Sequence, residues 1–399
     1  MRRRDLPAPH AMRASYPSGF GGGCSHHAER IWSALSCDGR GALRSGLSRL
    51  DGLVFASGIA NTDSGALSGG RLDASGAGRA DGGAFGPSGG GERDGGPCFD
   101  AVVPPGGYSW WYVDALSDDG QYGLTVIAFI GSVFSPYYAW SGRRDPTNHC
   151  AVNVALYGPN GHRWAMTERK RIALSQERSR LGIGPSSLQW DGDALTIEIN
   201  EISAPIPKRL RGVVRVEPIA INTREFMLES RGHHLWRPIA PHACVSVDFD
   251  APDLNWKGAG YFDMNAGNES LEDGFSYWTW SRSNRKDGAA TILYDAERRR
   301  EDPLSLALRF DRNGGCEEFE SPPVAELPRT GWRVARRTRS DDGQARALRS
   351  FEDTPFYSRS LISAQLQGEE VQSVHESLSL DRFANPIVRL MLPFRMPRW

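Results

Sequence analysis

Residues 108–133, YSWWYVDALSDDGQYGLTVIAFIGSV, decide the fold class of this chain. Tyr108–Leu116 and Tyr122–Val133 are rich in aromatic and β-branched side chains, and Ser117-Asp118-Asp119-Gly120 between them is turn chemistry. The pair reads as an antiparallel hairpin. Its second strand is nearly all apolar, as expected of a strand covered on both faces. Trp110, Trp111, Tyr112, Tyr137, Tyr138 and Trp140 make this the most aromatic part of the chain. So many rings near glycines serve either as a core with its rim or as the wall of a large apolar pocket.

Downstream the same grammar repeats. Ala151–Leu156 and Trp164–Arg171 flank the turn Gly158-Pro159-Asn160-Gly161, and Ser187–Trp190 turns at Asp191-Gly192-Asp193 into Ala194–Ile202. In the last of these Leu195, Ile197 and Ile199 alternate with Thr196, Glu198 and Asn200, and Leu210–Val216 continues the series. Short strands separated by Gly/Asp/Asn turns indicate an antiparallel sandwich or barrel. A helix over Glu168–Arg180 would be only weakly apolar. Further strands are read at Phe275–Arg282, Ala289–Asp295, Leu304–Asp311, Trp332–Thr338, Gln344–Phe351, Tyr357–Gln367 and Val371–Arg382. The tail Ile387–Arg395 mixes apolar side chains with arginines. It reads as a last strand against the barrel, or as a contact for an anionic membrane surface.

Upstream the composition changes. Thirteen of the 32 residues from 65 to 96 are glycine, too little apolar area to offset the entropy of ordering. Residues 1–95 read as a disordered leader with weak helical character between Ala28 and Leu50. The arginines at 2–4 have no apolar run behind them, so no signal peptide is read, and no run is long enough to span a membrane. A formal net charge of −1 over 399 residues carries no nucleic-acid footprint. The six cysteines form no CxxC pair, which argues against structural zinc and favours reduced thiols.

The chemistry concentrates in residues 233–267, HHLWRPIAPHACVSVDFDAPDLNWKGAGYFDMNAG. In an extended strand His234 and Trp236 share one face. Arg237-Pro238-Ile239-Ala240-Pro241 should break that strand before the next one at Ala243–Phe249. In GYFDMN, Tyr261, Asp263 and Asn265 share a face opposite Phe262 and Met264. A phenol, a carboxyl and an amide facing an aromatic cavity make a reasonable general-acid arrangement, because burial raises a carboxyl's proton affinity; an Asx turn at a strand end is the plainer reading. His233, His234 and His242 make a poor metal site, since adjacent strand histidines point opposite ways. No GxSxG, GxGxxG or GxxxxGK[ST] stands in the folded region, so serine-hydrolase, dinucleotide and nucleotide chemistry have no motif behind them.

The segment FDAVVPPGGYSWWYVDALSDDGQYGLTVIAFIGSVFSPYYAWSGRRDPTNHCAVNVALYG, together with HHLWRPIAP and GAGYFDMNAG, strongly resembles the acyclic carotenoid 1,2-hydratases (hydroxyneurosporene synthases) of purple photosynthetic bacteria. The resemblance covers roughly residues 98–399 and leaves the leader without a counterpart. That family is similar to tandem lipocalin-like proteins, a group that includes pericyclases. The implied fold is all-β: two lipocalin-like antiparallel β-barrel or barrel-like domains, at 96–242 and 243–399, after the disordered leader 1–95, with a cavity near their interface.

The implied reaction adds water across the C1–C2 double bond of neurosporene or lycopene. Protonation at C2 leaves a tertiary cation at C1, which water captures. No redox change occurs, so no organic cofactor is needed, and no metal is expected. The resemblance also implies catalytic roles for His234 and Trp236 of an HxW pair and for Tyr261 and Asp263 of a YFD triplet, with Asp263 as the acid. Trp110, Trp111, Tyr137, Tyr138, Trp278 and Trp280 are candidates to bind the polyene. The expected partners are an acyclic carotenoid, water and, peripherally, membrane lipid on the cytoplasmic side of a photosynthetic membrane, with no nucleic acid. A carotenoid or polyene cyclase and a non-catalytic lipid-binding relative are the rival readings.

Overall fold

The structure is a computed structural model that describes residues 95–399. The expected leader, but for its last residue, lies outside the described part, as does the weak helix at 28–50. Two antiparallel sheets carry the described chain. The first contains β1 (Tyr108–Ser117), β2 (Gly123–Ile130), β3 (Cys150–Tyr157), β4 (Arg163–Arg169), β5 (Leu174–Glu177), β6 (Arg180–Ile183), β7 (Ser186–Trp190), β8 (Leu195–Ile202), β9 (Arg209–Pro218), β10 (Phe226–Met227), β11 (His234–Ala251) and β12 (Asp253–Gly267). Its order is β4-β3-β2-β1-β12-β11-β9-β8-β7-β6-β5, with β10 added beside β11. The sheet curls until β4 approaches β8, where Arg169 pairs with the buried carboxylate of Glu201 at 2.6 Å.

The second sheet holds β13 (Phe275–Asn284), β14 (Ala290–Arg298), β15 (Leu304–Phe310), β16 (Cys316–Glu318), β19 (Ala345–Asp353), β20 (Tyr357–Leu366) and β21 (Glu369–Ser379). Its order is β16-β15-β14-β13-β21-β20-β19, and β17 (Val324–Leu327) pairs with β18 (Arg336–Arg339) in a separate ribbon. Four short helices complete the described chain: α1 (Pro136–Trp140), α2 (Leu271–Gly274), α3 (Leu380–Ala384) and α4 (Pro386–Met391). The all-β architecture with a barrel-like first sheet and a second sheet is the one the resemblance implies.

Strand alternation assigns each side chain of the first sheet to one of two cores. Trp111, Val113, Ala115, Val126, Val154, Ile197, Val247 and Phe262 fill the inside of the curled sheet. Tyr108, Trp110, Tyr112, Phe129, Trp236 and Tyr261 point outward and pack with Trp278, Trp280, Tyr294 and Leu308 of the second sheet. This second core explains why β1–β3 are covered on both faces, as the apolar run at Leu124–Ile130 leads one to expect.

Three readings need correction. Pro238 and Pro241 do not end a strand: β11 continues through them, with register shifts between Pro238 and Ala240 and between Ala240 and Ala243. Bulges at those points absorb the missing N–H donors. The weak helix at 168–180 is instead a 3₁₀ turn at Arg171–Ala173 followed by β5 and β6. The C-terminal tail is helical, because the Asn385 side chain caps the Ile387 N–H and Pro386 opens the helix. Residues 242 and 243 lie within one continuous strand, and the two sheets part along the chain between β12 and β13. Cys98, Cys150 and Cys316 are free thiols, whereas Cys244 is disulfide-bonded, so the expectation of reduced thiols does not hold for every cysteine.

Candidate active site

The site grows from the outward faces of three neighbouring strands, β1, β12 and β11. Tyr112 stands directly opposite Asp263 in the β1–β12 register, and Trp110 opposite Asn265. On the other side Trp236 is opposite Asn265, and His234 opposite Gly267. Glycine at 267 leaves room here: a Cβ there would lie 2.5 Å from the Tyr108 ring. Tyr108 uses that space to meet His234 Nδ1 at 2.9 Å.

Asp263 is the centre of a compact hydrogen-bonded group. Tyr261 donates its hydroxyl to Asp263 Oδ2 at 2.8 Å, and the Trp236 indole N–H donates to the same oxygen at 2.9 Å. The Asn265 amide reaches Oδ1 at 3.3 Å. Burial raises the Asp263 carboxyl to about 8; the Tyr261 and Trp236 donors oppose that rise, and the charges of Glu376 and Asp114 add to it. The carboxyl therefore carries its proton at neutral pH, with both strong donors on one oxygen. Aromatic rings enclose the group. Trp236 packs against Phe226 and Tyr294 with centroids 5.2 Å away in both cases, and Tyr261 packs against Trp280 at 5.0 Å.

His234 is at the end of this row rather than in it. Its Nε2 is 3.3 Å from Glu269, and its ring packs on Phe275 at 4.8 Å. Burial lowers its imidazole to about 4, against the opposing pull of Glu269 and Glu229, so His234 is neutral at pH 7. His233 is bonded to Asn268 and His242 to the Gly288 carbonyl. Among the described residues no group of three His, Cys, Asp or Glu side chains is arranged to hold a metal.

A cavity of about 440 Å³ opens between the outward face of the first sheet and the second sheet. Trp110, Tyr112 and Trp278 line its buried side, while Trp332, Met391 and Phe394, all at least 45% exposed, mark its mouth. Asp263, Tyr261, Trp236 and His234 are not among the lining residues; Tyr112 and Trp110 stand between them and the open space. The other polyene-binding candidates divide. Trp111 faces the inside of the curled sheet against Phe99, away from the cavity. Trp280 packs on Tyr112 and Tyr261 behind the wall. Tyr138 is buried and bonded to the Gly107 carbonyl, and Tyr137 packs on Trp140 near the surface. Strand alternation alone separates Trp110 from Trp111.

Arg359 and Glu376 carry no signal in the sequence, and Tyr112 stands there only as one of the six clustered aromatics. The Tyr112 hydroxyl donates its one proton to Glu376 Oε1 at 2.8 Å and lies 3.0 Å from Asp114 Oδ2, and Arg359 pairs with Glu376. Alternation with Trp110 marks Tyr112 as a cavity residue, whereas nothing in VHESLSL distinguishes Glu376.

The carotenoid hydratase CrtC family matches residues 126–399 of this chain. Curated relatives are similar over much or all of its length. The acyclic carotenoid 1,2-hydratase of Thiocapsa roseopersicina is 55% identical over 100% of this chain and 99% of its own. That alignment includes residues 1–95, so the leader does have a counterpart. The acyclic carotenoid 1,2-hydratase of Rubrivivax gelatinosus is 48% identical, covering 99% of this chain and 97% of its own. The protein of that name from Cereibacter sphaeroides is 44% identical over 68% of this chain and 98% of its own.

Proposed function

This chain belongs to the carotenoid hydratase family, and on that premise we propose that it hydrates the C1–C2 double bond of an acyclic carotenoid with Asp263 as the acid. The observation that carries the acid assignment is the buried Asp263 carboxyl, protonated at neutral pH and met at Oδ2 by two donors. Protonating an unactivated alkene leaves two charges to stabilise. On the enzyme, the Trp236 N–H and Tyr261 O–H bonds strengthen as Asp263 becomes a carboxylate. On the substrate, the tertiary cation at C1 forms among the faces of Trp110, Trp236, Trp278 and Tyr294. Because Oδ2 accepts both donors, the transferable proton belongs on Oδ1, beside Asn265.

His234 is a positioning residue in this reading. It holds Tyr108, whose ring stacks on Trp110 at 4.9 Å, and so fixes the aromatic wall. For the substrate terminus to meet Asp263, the side chains of Trp110 and Tyr112 must move aside or admit it between them. The cavity volume falls in the range that holds a drug-sized ligand, roughly 300–1,000 Å³. It accommodates one end of a long polyene and leaves the remainder at the mouth.

Peripheral contact with a lipid surface fits that arrangement. Ile387, Leu390 and Phe394 are each at least 70% exposed on the segment whose other face lines the cavity through Val388 and Leu392. No helix among the described residues is long and apolar enough to cross a membrane.

The test is to incubate the purified chain with neurosporene or lycopene in detergent and heavy-oxygen water, then weigh the products. A product heavier by one labelled water is expected. A product of unchanged mass would identify a cyclase or isomerase, and binding without any product would identify a carrier.

A further inference from the structure

Water is a reactant, and an apolar cavity must hold it by polar groups near the reacting carbon. The cavity wall offers such a group at its buried side. Glu376, on β21, lies opposite Trp280 of β13, whose ring packs on both Tyr112 and Tyr261. Its Oε1 accepts from Tyr112 and from Arg359, a residue only 2% exposed. Among the described residues no hydrogen bond reaches Oε2, although the side chain lines the cavity. Tyr112 is at once the Glu376 partner and the direct cross-strand neighbour of Asp263. Side chains so paired have Cβ atoms about 5 Å apart.

We propose that Glu376 is a second catalytic carboxylate: its Oε2 holds the attacking water and takes the proton which that water loses. The inference rests on the hydratase reading above. The two carboxyl groups then have opposite tasks set by opposite surroundings. Among the described residues Asp263 has donors but no cation beside it and holds a proton, whereas Glu376 has the Arg359 guanidinium as its counter-charge.

The step balances without any further reactant. The C1–C2 π pair takes the Asp263 proton and becomes the new C2–H bond, leaving Asp263 a carboxylate and C1 a tertiary cation. A lone pair of the water held by Glu376 forms the C1–O bond. The O–H bond of that water breaks toward Oε2, giving the neutral tertiary alcohol and a protonated Glu376. Transfer of that proton from Glu376 to Asp263 restores the starting state.

Glu376→Gln in the full chain, assayed with detergent-dispersed neurosporene in deuterated water, tests this. Loss of a general base lowers hydration by about 100- to 10,000-fold. Asp263 still protonates the alkene in this variant. The uncaptured cation then returns a proton to Asp263, so deuterium accumulates in recovered, unhydrated carotenoid. Asp263→Asn should lose both hydration and deuterium uptake. Because Glu376→Gln leaves Arg359 buried without its partner, the double variant Glu376→Gln/Arg359→Gln provides the same comparison with neither charge present. Hydration within about threefold of wild type in either folded variant overturns the proposal, and so does loss of deuterium uptake along with hydration. A wild-type chain that adds no water would instead refute the hydratase reading.

Discussion

The indole nitrogen of Trp236 stands 2.9 Å from Asp263 Oδ2, yet the two residues are not opposite one another. Trp236 faces Asn265 across the β11–β12 ladder, and Pro238 faces Asp263. The contact is a diagonal one, within reach of a long aromatic side chain across a twisted pair of strands. It places an N–H donor on the oxygen that becomes charged when Asp263 gives up its proton.

Asp263→Asn should leave the fold intact and lower hydration by at least about 100-fold, read from product formation at saturating carotenoid. Its stability should respond to pH in a defined direction. Folding raises this carboxyl from 3.8 to about 8, so the native state binds a proton that the unfolded chain has lost. The resulting stability is fully present below 3.8 and disappears as pH rises through about 8. Above about 8 the asparagine variant should therefore melt at a higher temperature relative to wild type than it does at low pH.

The wild-type rate should fall as pH rises through about 8, because only protonated Asp263 is an acid. Tyr261→Phe removes a donor that favours the carboxylate, so the descending limb should move to higher pH. A limb that moves down, or stays in place, would contradict the assigned role of Tyr261.

Trp236→Phe keeps an aromatic ring between Phe226 and Tyr294 but removes the indole N–H. Loss of a hydrogen bond to a developing charge, about 1.5–3 kcal/mol, corresponds to a roughly 10- to 100-fold lower kcat. KM should change little, since phenylalanine keeps an aromatic face at this position.

Arg282 and Asp114 form a buried ion pair beneath Tyr112, with Arg282 Nε donating at 2.7 Å. Arg282→Met leaves Asp114 charged and buried, at a cost of about 3–5 kcal/mol in urea unfolding. Arg282→Met/Asp114→Leu should recover much of that loss, and equal destabilisation of the single and double variants would show that the pair does not act as a unit.

Replacing Ile387 and Leu390 together by Asp should reduce co-sedimentation of the full chain with anionic phospholipid vesicles. Turnover of detergent-dispersed carotenoid should persist, because these exposed side chains are presented to solvent. Undiminished sedimentation would remove this segment from the lipid contact.

By itself the sequence determined the strand content and which side chains share a face. Period-two alternation is a local property, so Tyr261, Asp263 and Asn265 on one side and Phe262 and Met264 on the other are legible in GYFDMN. The same rule separates Trp110 from Trp111, which cannot both meet the polyene. Alternation is silent on what covers each face. Only the tertiary structure decided that the curled sheet fills its interior with Trp111 and Phe262, and turns Asp263 outward against a second sheet. It also decided that β11 runs through two prolines, because bulges depend on the neighbouring ladders rather than on the prolines. Glu376 comes to the Asp263 neighbourhood from β21 through the packing of β13 between them, a long-range arrangement with no local signature.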